Sequence, residues 1–211
     1  TQNQAFSAIL FLYDQVLQRP LDRIEGVVRA RRPKRLPVVL TTDEVSRVMA
    51  QLSDDKWLIV TLLYGGGLRL LEALRLRVKD LDFEQGEITV REGKGNKDRV
   101  TTLPQVASGP LQDHLRRVYT RHQQDLADGF GRTELPYALA RKYPSADRQW
   151  CWQYVFPQDR RWVNHRTGDQ GRHHIHESLV QKAISRAVNK AGITKRVTSH
   201  TFRHTFATHL L

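Results

Sequence analysis

Three short stretches of this chain hold residues whose types and spacing suit phosphate chemistry. In GLRLLE (67–72), Arg69 stands three residues before Glu72, so a helical turn would set the two on one face. The same spacing also serves an ordinary surface ion pair. GKGNKDR (93–99) is a glycine turn between two candidate strands, with Lys94 near its tip. It lacks the Ser or Thr and the following helix of a Walker loop. It reads either as an exposed basic turn or as a lysine held out toward a phosphate ester. In SHTFRHTFATHLL (199–211), His200 and Arg203 are again three apart, with Phe202, Phe206 and Leu210 directed to the core. Two arginines, a lysine and a histidine brought together would suit phosphoryl transfer. The arginines would grip nonbridging oxygens bidentately, the lysine would protonate a leaving oxygen, and the histidine would assist the nucleophile or add a donor. Chemistry of this kind needs no metal and no cofactor.

Histidine spacing leaves a metal alternative open. His200 and His204 are four apart, without the Glu of an HExxH motif, and the run from His173 to Glu177 is dense in imidazole. No second cluster completes either set, so a His-cluster metalloprotein is the lesser reading.

The residues between these stretches define the elements that must position them. FSAILFLYDQVL (6–17) has helical apolar spacing and is stopped by Pro20; one such helix cannot bury its own apolar face. RARRPKRLP (29–37) combines cations, Arg32, Lys34 and Arg35 among them, with two prolines and no periodicity, as an extended basic linker does. Thr41-x-x-Glu44 fits a capping box that opens a second domain. WLIVTLLY and LRLLEALRL read as two helices broken at Gly65-Gly66-Gly67. DLDF, EITVRE and RVTTLP alternate at short length, as a small antiparallel three-stranded sheet does. Residues 107–128 read as helix, 129–172 as irregular, and the stripe from Leu179 to Ala191 as a helix capped by Gly192. Thr198 or Ser199 caps the last helix. The fold class is therefore mainly α with a small antiparallel three-stranded β-sheet (α+β).

Thirty-four Lys and Arg against 22 Asp and Glu give +12, spread along the chain. That balance points to a polyanionic partner, with a solvated basic surface as the plain alternative. A single cysteine, Cys151, excludes an internal disulfide framework and fits a cytoplasmic setting. No stretch approaches the roughly 20 apolar residues of a membrane span.

GLRLLE, GKGNKDR and SHTFRHTFATHLL, in this order and at these separations, resemble the catalytic domain of the tyrosine recombinases (phage-integrase family). The resemblance covers 41–211, with 1–28 similar to the end of that family's core-binding domain and 29–40 as the linker. It implies that Arg69 is the first catalytic arginine, Glu72 its supporting acid, Lys94 the general acid, and His200 with Arg203 the His-x-x-Arg box. Family members cut and rejoin DNA through a 3′-phosphotyrosine intermediate. Past the box the family carries another His or Trp and then the nucleophilic Tyr. Every tyrosine here, from Tyr13 to Tyr154, lies upstream. The expectation is thus a fragment that binds DNA without cleaving it, a monomer where the full-length protein would be a tetramer on DNA. A non-catalytic DNA-binding module is the alternative.

ALARKYPSADRQWCWQYVFPQ (138–158) and GRHHIHESLVQKA (171–183) are similar to the insertion of the integron integrases, here at about 129–172. That subfamily joins a duplex site to sites folded as single-stranded hairpins marked by bulged bases. The resemblance implies base contacts from Trp152, His173 and His174, with Trp150 and Trp162 next, since aromatic and imidazole faces stack bases. The plain alternative is a local core that clamps the insertion. Lys97 and Arg99, beside the glycine turn, are expected to meet DNA phosphates.

Overall fold

The computed structural model describes residues 2–21, 26, 36–91, 98–136 and 139–210. The chain divides into two compact units, Thr1–Leu36 and Pro37–Leu211. In the first, helix α1 (Gln2–Phe11) continues into a π-helical turn at Leu12–Val16, and no side chain of either is buried. Phe11, Val16 and Leu17 are exposed, as a lone amphipathic helix requires.

The second unit is built around one helix. Thr41 caps α2 (Thr42–Met49): its hydroxyl accepts the Glu44 N–H, and the Glu44 carboxylate accepts the Thr41 N–H. This is the expected box, worth about 1 kcal/mol. Helix α3 (Asp54–Gly65) buries Leu58 through Leu63 without interruption. A helix apolar on every side belongs at the centre. Accordingly α3 packs against α2, against α4 (Leu70–Leu74), and against three later helices.

Beyond α4, a meander of β1 (Leu81–Asp82), β2 (Glu87–Val90) and β3 (Arg99–Thr102) forms the expected antiparallel sheet. Its register pairs Leu81 with Ile88, and Val90 with Arg99. Ile88 and Val90 face the core. Helix α5 (Gln105–Ala127) follows, then α6 (Leu139–Lys142), the two-stranded ribbon of β4 (Trp162–Val163) and β5 (Gln170–Gly171), α7 (Glu177–Lys190) and α8 (Ser199–His209). The end of α7 has a Schellman arrangement: Gly192, at φ +66°, donates to the Asn189 carbonyl and Ile193 to that of Val188.

Residues 129–172 are more ordered than their composition suggests. Besides α6 and the ribbon they hold 3₁₀ turns at Ala146–Arg148 and Trp150–Trp152. Residues 153–156 are bound on both sides: Val78 N–H donates to Gln153 O, Val155 N–H to Leu76 O, and Ile175 N–H to Phe156 O. Val155 and Phe156 are buried beneath. Polar latches from α5 complete the attachment. The α5 inner face is apolar at Ala107, Leu111 and Leu115, then turns polar. His114 Nε2 donates to Val155 O at 2.8 Å and His122 Nε2 to Arg148 O at 3.0 Å. Burial holds both imidazoles below the usual histidine range, so each meets its carbonyl as a neutral donor. Farther along, Asp125 takes Arg172 bidentately at 2.5 and 2.9 Å.

Asp125 is buried, so removing it strands the Arg172 guanidinium, which is the costly way to break a buried pair. Asp125→Ala should lower stability by about 3 kcal/mol in urea denaturation. Arg116→Ala, which removes an exposed i,i+3 pair on the same helix, should change it by under about 0.5 kcal/mol.

Candidate phosphate clamp

Gly66 and Gly67 turn the chain from α3 into α4 where nothing larger fits. A Cβ on Gly67, whose φ is +60°, would lie 2.5 Å from the Phe206 ring of α8. One on Gly66 would stand 3.1 Å from the carbonyls of Leu62 and Thr102. The bend leaves Arg69 extended, at the N-cap of α4. The Arg69–Glu72 pairing therefore differs from two side chains on one helix face. Glu72 reaches back to the cap, taking the Arg69 N–H on Oε2 at 2.7 Å and the Arg69 guanidinium on Oε1 at 2.6 Å.

Two further arginines meet the same carboxylate. Arg99, at the start of β3, binds it bidentately at 2.7 and 3.1 Å. Arg203, on α8, stands 3.6 Å from Oε2 and donates to the Gly67 carbonyl. Helix α8 is held for this by Phe202, fully buried, and by Thr205, whose hydroxyl accepts the Leu40 N–H. Glu72 is 10% exposed while the three arginine side chains are each about one-third exposed, so the cations line the open side. Burial raises the Glu72 pKa, but hydrogen bonds from Arg99, the Arg69 N–H and the Arg69 guanidinium outweigh it and bring it to about 2. Arg203 is lowered, first by burial and then by repulsion from Arg69. Such a group suits an anion approaching from solvent.

The expected residues divide in the folded chain. Arg69, Glu72 and Arg203 converge. His200 is exposed in the first turn of α8, one turn before Arg203. Arg99, expected to face DNA from the hairpin, instead places its guanidinium on Glu72. Lys94 and Lys97, with Arg32, Lys34 and Arg35, lie outside the described residues. Phe202 and Phe206 pack inward as expected. Leu210 does not: it is the helix C-cap and is 69% exposed.

From Arg69 and Glu72 an open groove of about 690 Å³ extends past Arg75, Arg77, Lys79 and Arg91 to Trp152 and Tyr154. The alternation LRLRVKD (74–80) was the signal for it: Leu76 is buried while Arg75, Arg77 and Lys79 fall on the groove side. Lys79 Nζ sits 3.1 Å over the Trp152 ring and Arg77 Cζ 3.6 Å over Tyr154. Arg77 also donates to Thr133 Oγ1 and to the carbonyls of Trp152 and Glu134, so it staples the 129–172 segment to the groove wall. His173 lines the groove, with its ring 4.1 Å from that of His174. His174 is buried and holds its Nδ1 on the Ile175 carbonyl; burial lowers its pKa. Trp150 packs on Tyr119 and His122 of α5, which helps fasten the 129–172 segment, while Trp162 lines a separate cavity beside His174 and His176. Among the described residues no three His, Cys, Asp or Glu side chains stand together as metal ligands would. None of the described helices is long and apolar enough to cross a membrane.

Residues 38–211 match the sequence profile of the phage integrase family. The chain belongs to the phage integrase family. Among curated relatives, an integrase/recombinase of Escherichia coli is 47% identical over 211 residues, all of this chain and 63% of the relative. Tyrosine recombinase XerA of Pyrococcus furiosus is 34% identical over 193 residues, 90% of this chain and 54% of the relative. The chain thus spans less than two thirds of the length of these relatives. Among solved structures, XerA recombinase is 27% identical with a TM-score of 0.54, covering 99% of this chain and 61% of that one. XerH recombinase bound to its difH substrate in a pre-cleavage complex is 21% identical with a TM-score of 0.55, covering 99% and 53%. The mainly helical fold with one small antiparallel sheet is that of these recombinases.

The depressed Glu72 pKa makes the cluster sensitive to acid. Stability from the ionised carboxylate is fully present above its unfolded value near 4.5 and is lost as pH falls toward about 2. Glu72→Gln should therefore cost about 3 kcal/mol at pH 6, with the difference from the unsubstituted chain shrinking toward zero near pH 2 in urea midpoints. A difference that stays constant across this range would refute the assignment.

Proposed function

We propose that this chain is the DNA-engaging part of a tyrosine site-specific recombinase of the integron type, which cuts and rejoins strands through a 3′-phosphotyrosine. The observation that carries the reading is the convergence of Arg69 and Arg203, from opposite ends of the domain, on one half-buried carboxylate. Arg69 and Arg203 grip the nonbridging oxygens of the scissile phosphate and stabilise charge as it grows in the transition state. Lys94 protonates the leaving 5′ oxygen, and His200 assists the nucleophile or adds a donor. Residues 41–211 form the catalytic domain, 29–40 a basic linker whose Arg32, Lys34 and Arg35 follow the phosphate backbone, and 1–28 the end of a core-binding domain.

The attacking tyrosine is not among the tyrosines of this chain. Tyr64 Oη and His209 Nδ1 share a hydrogen bond, Tyr154 lies beneath Arg77, and Tyr119 packs on Trp150. On this reading the 211 residues hold DNA without cleaving it. The XerH complex with its difH substrate supports DNA as the partner. The groove running from the clamp to Trp152 and His173 favours a bulged hairpin as a second substrate, since it offers cations to phosphates and aromatic faces to unpaired bases. The buried His174 supports His173 in this role and is not itself the contact. The full-length protein acts as a tetramer on DNA, in the cytoplasm.

A suicide substrate with a nick beside the cleavage position tests the proposal. The 211 residues alone should form no covalent adduct but should bind, with affinity falling at least about a hundredfold between 50 and 200 mM salt. A chimera continued with the C-terminal segment of the Escherichia coli relative should form a 3′-phosphotyrosine adduct, and Arg203→Ala should abolish it. An adduct from the 211 residues alone, or binding indifferent to salt, would overturn the reading. Preference for a plain duplex over a bulged hairpin would remove the integron assignment, count against a non-catalytic binding module as well, and leave a tyrosine recombinase of duplex sites.

A further inference from the structure

The bidentate hold of Arg99 on Glu72 is a contact that the clamp described above does not need for gripping phosphate. Glu72 offers two oxygens to three guanidiniums and one backbone N–H. Oε1 takes Arg69 at 2.6 Å and Arg99 at 3.1 Å; Oε2 takes the Arg69 N–H and Arg99, both at 2.7 Å. Arg203 is left at 3.6 Å, beyond a good hydrogen bond. The lone pairs that would draw Arg203 in are already filled by Arg99.

We infer that Arg99 is a positioning residue: it occupies the Glu72 carboxylate so that Arg203, and the second face of Arg69, stay available to an anion. This inference rests on the reading of Arg69 and Arg203 as a phosphate clamp. The competition follows from the chemistry of the carboxylate. A lone Glu beside two arginines forms a close pair with each, and a phosphate oxygen must then displace a carboxylate oxygen before it can bind. With Arg99 forked across both oxygens, that displacement is already done at Arg203, while Arg69 keeps a single guanidinium contact at 2.6 Å. The position of Arg99 suits the task. It opens β3, paired with Val90, and follows Lys94 closely in sequence. Strand β3 is thereby tied to the N-terminus of α4, the element that presents Arg69. A lysine could not do the same, because one ammonium cannot span both oxygens of a carboxylate.

Inorganic phosphate titrated into the 211-residue chain, read from the arginine side-chain Nε–Hε resonances by NMR, separates the possibilities. In the unsubstituted chain the Arg69 and Arg203 signals should shift with phosphate. Arg99→Ala should weaken phosphate affinity about tenfold, and in the Glu72→Gln background the same substitution should change it less than twofold. Arg99→Lys, which keeps the charge if the alanine variant does not fold, should still lose about threefold. A loss on Arg99→Ala that persists in the Glu72→Gln background would make Arg99 a direct phosphate ligand and overturn the inference, as would full affinity in Arg99→Lys. Absence of any phosphate-dependent shift at Arg69 and Arg203 would instead overturn the clamp reading beneath it.

Discussion

A single carboxylate, that of Glu72, sets the arrangement on which this domain turns. Three segments far apart in the chain, the glycine bend after α3, the opening of β3 and the middle of α8, each send an arginine to it. Like charges so close would repel strongly in a half-buried setting, and a carboxylate with saturated hydrogen bonds is what lets them share it. The backbone adapts to this need. Gly66 and Gly67 permit the close approach of β3 and Phe206, and α8 gives up a normal aliphatic stripe to bury Thr201 and Thr205 beside Phe202. The central helix α3, apolar all round, supplies the rigid body against which these parts are fixed.

The segment 129–172 is governed by the same physics with the signs differently placed. It has too few apolar side chains to form its own core, so it is fastened by buried polar latches: Arg172 on Asp125, Arg77 on three oxygen acceptors, and neutral His114 and His122 on carbonyls. Latches of this sort give little net stability, yet breaking one is expensive, which favours a single geometry over a floppy loop. A single geometry is what lets Arg77, Lys79, Trp152 and Tyr154 form one wall of a groove that begins at the clamp.

Local chemistry was legible in the sequence, and contacts across the chain were not. The Thr41–Glu44 box, the Gly192 cap, the all-apolar α3 and the three short strands follow from nearest-neighbour rules, and each stands where the pattern put it. Arg69 and Glu72 could be paired by counting three along the chain, although they meet through the helix cap and not on a shared face. Arg99 could not be paired that way. Its partner lies on another element, and only the β2–β3 register brings it there. The order within 129–172 was invisible for a like reason: Arg172 and Asp125 are 47 residues apart, and nothing in either neighbourhood announces the other. Leu210 was misread because periodicity continues through a helix end where packing does not.

Charge counting around Glu72 explains why such a cluster should be proposed to meet a phosphate and not to serve stability alone. Three guanidiniums and one carboxylate leave a local excess of 3 − 1 = +2. A structural ion pair of the ordinary kind closes at zero, as Arg172 and Asp125 nearly do. Excess charge in a half-buried place is paid for by the desolvation that depresses Arg203. A phosphodiester brings one negative charge in its resting state and gathers a second on its nonbridging oxygens as it becomes a pentavalent phosphorane. On the proposed reading, the excess carried by these three arginines and Glu72 would be balanced only at the transition state, which is the condition for preferring the reacting phosphate over the resting one.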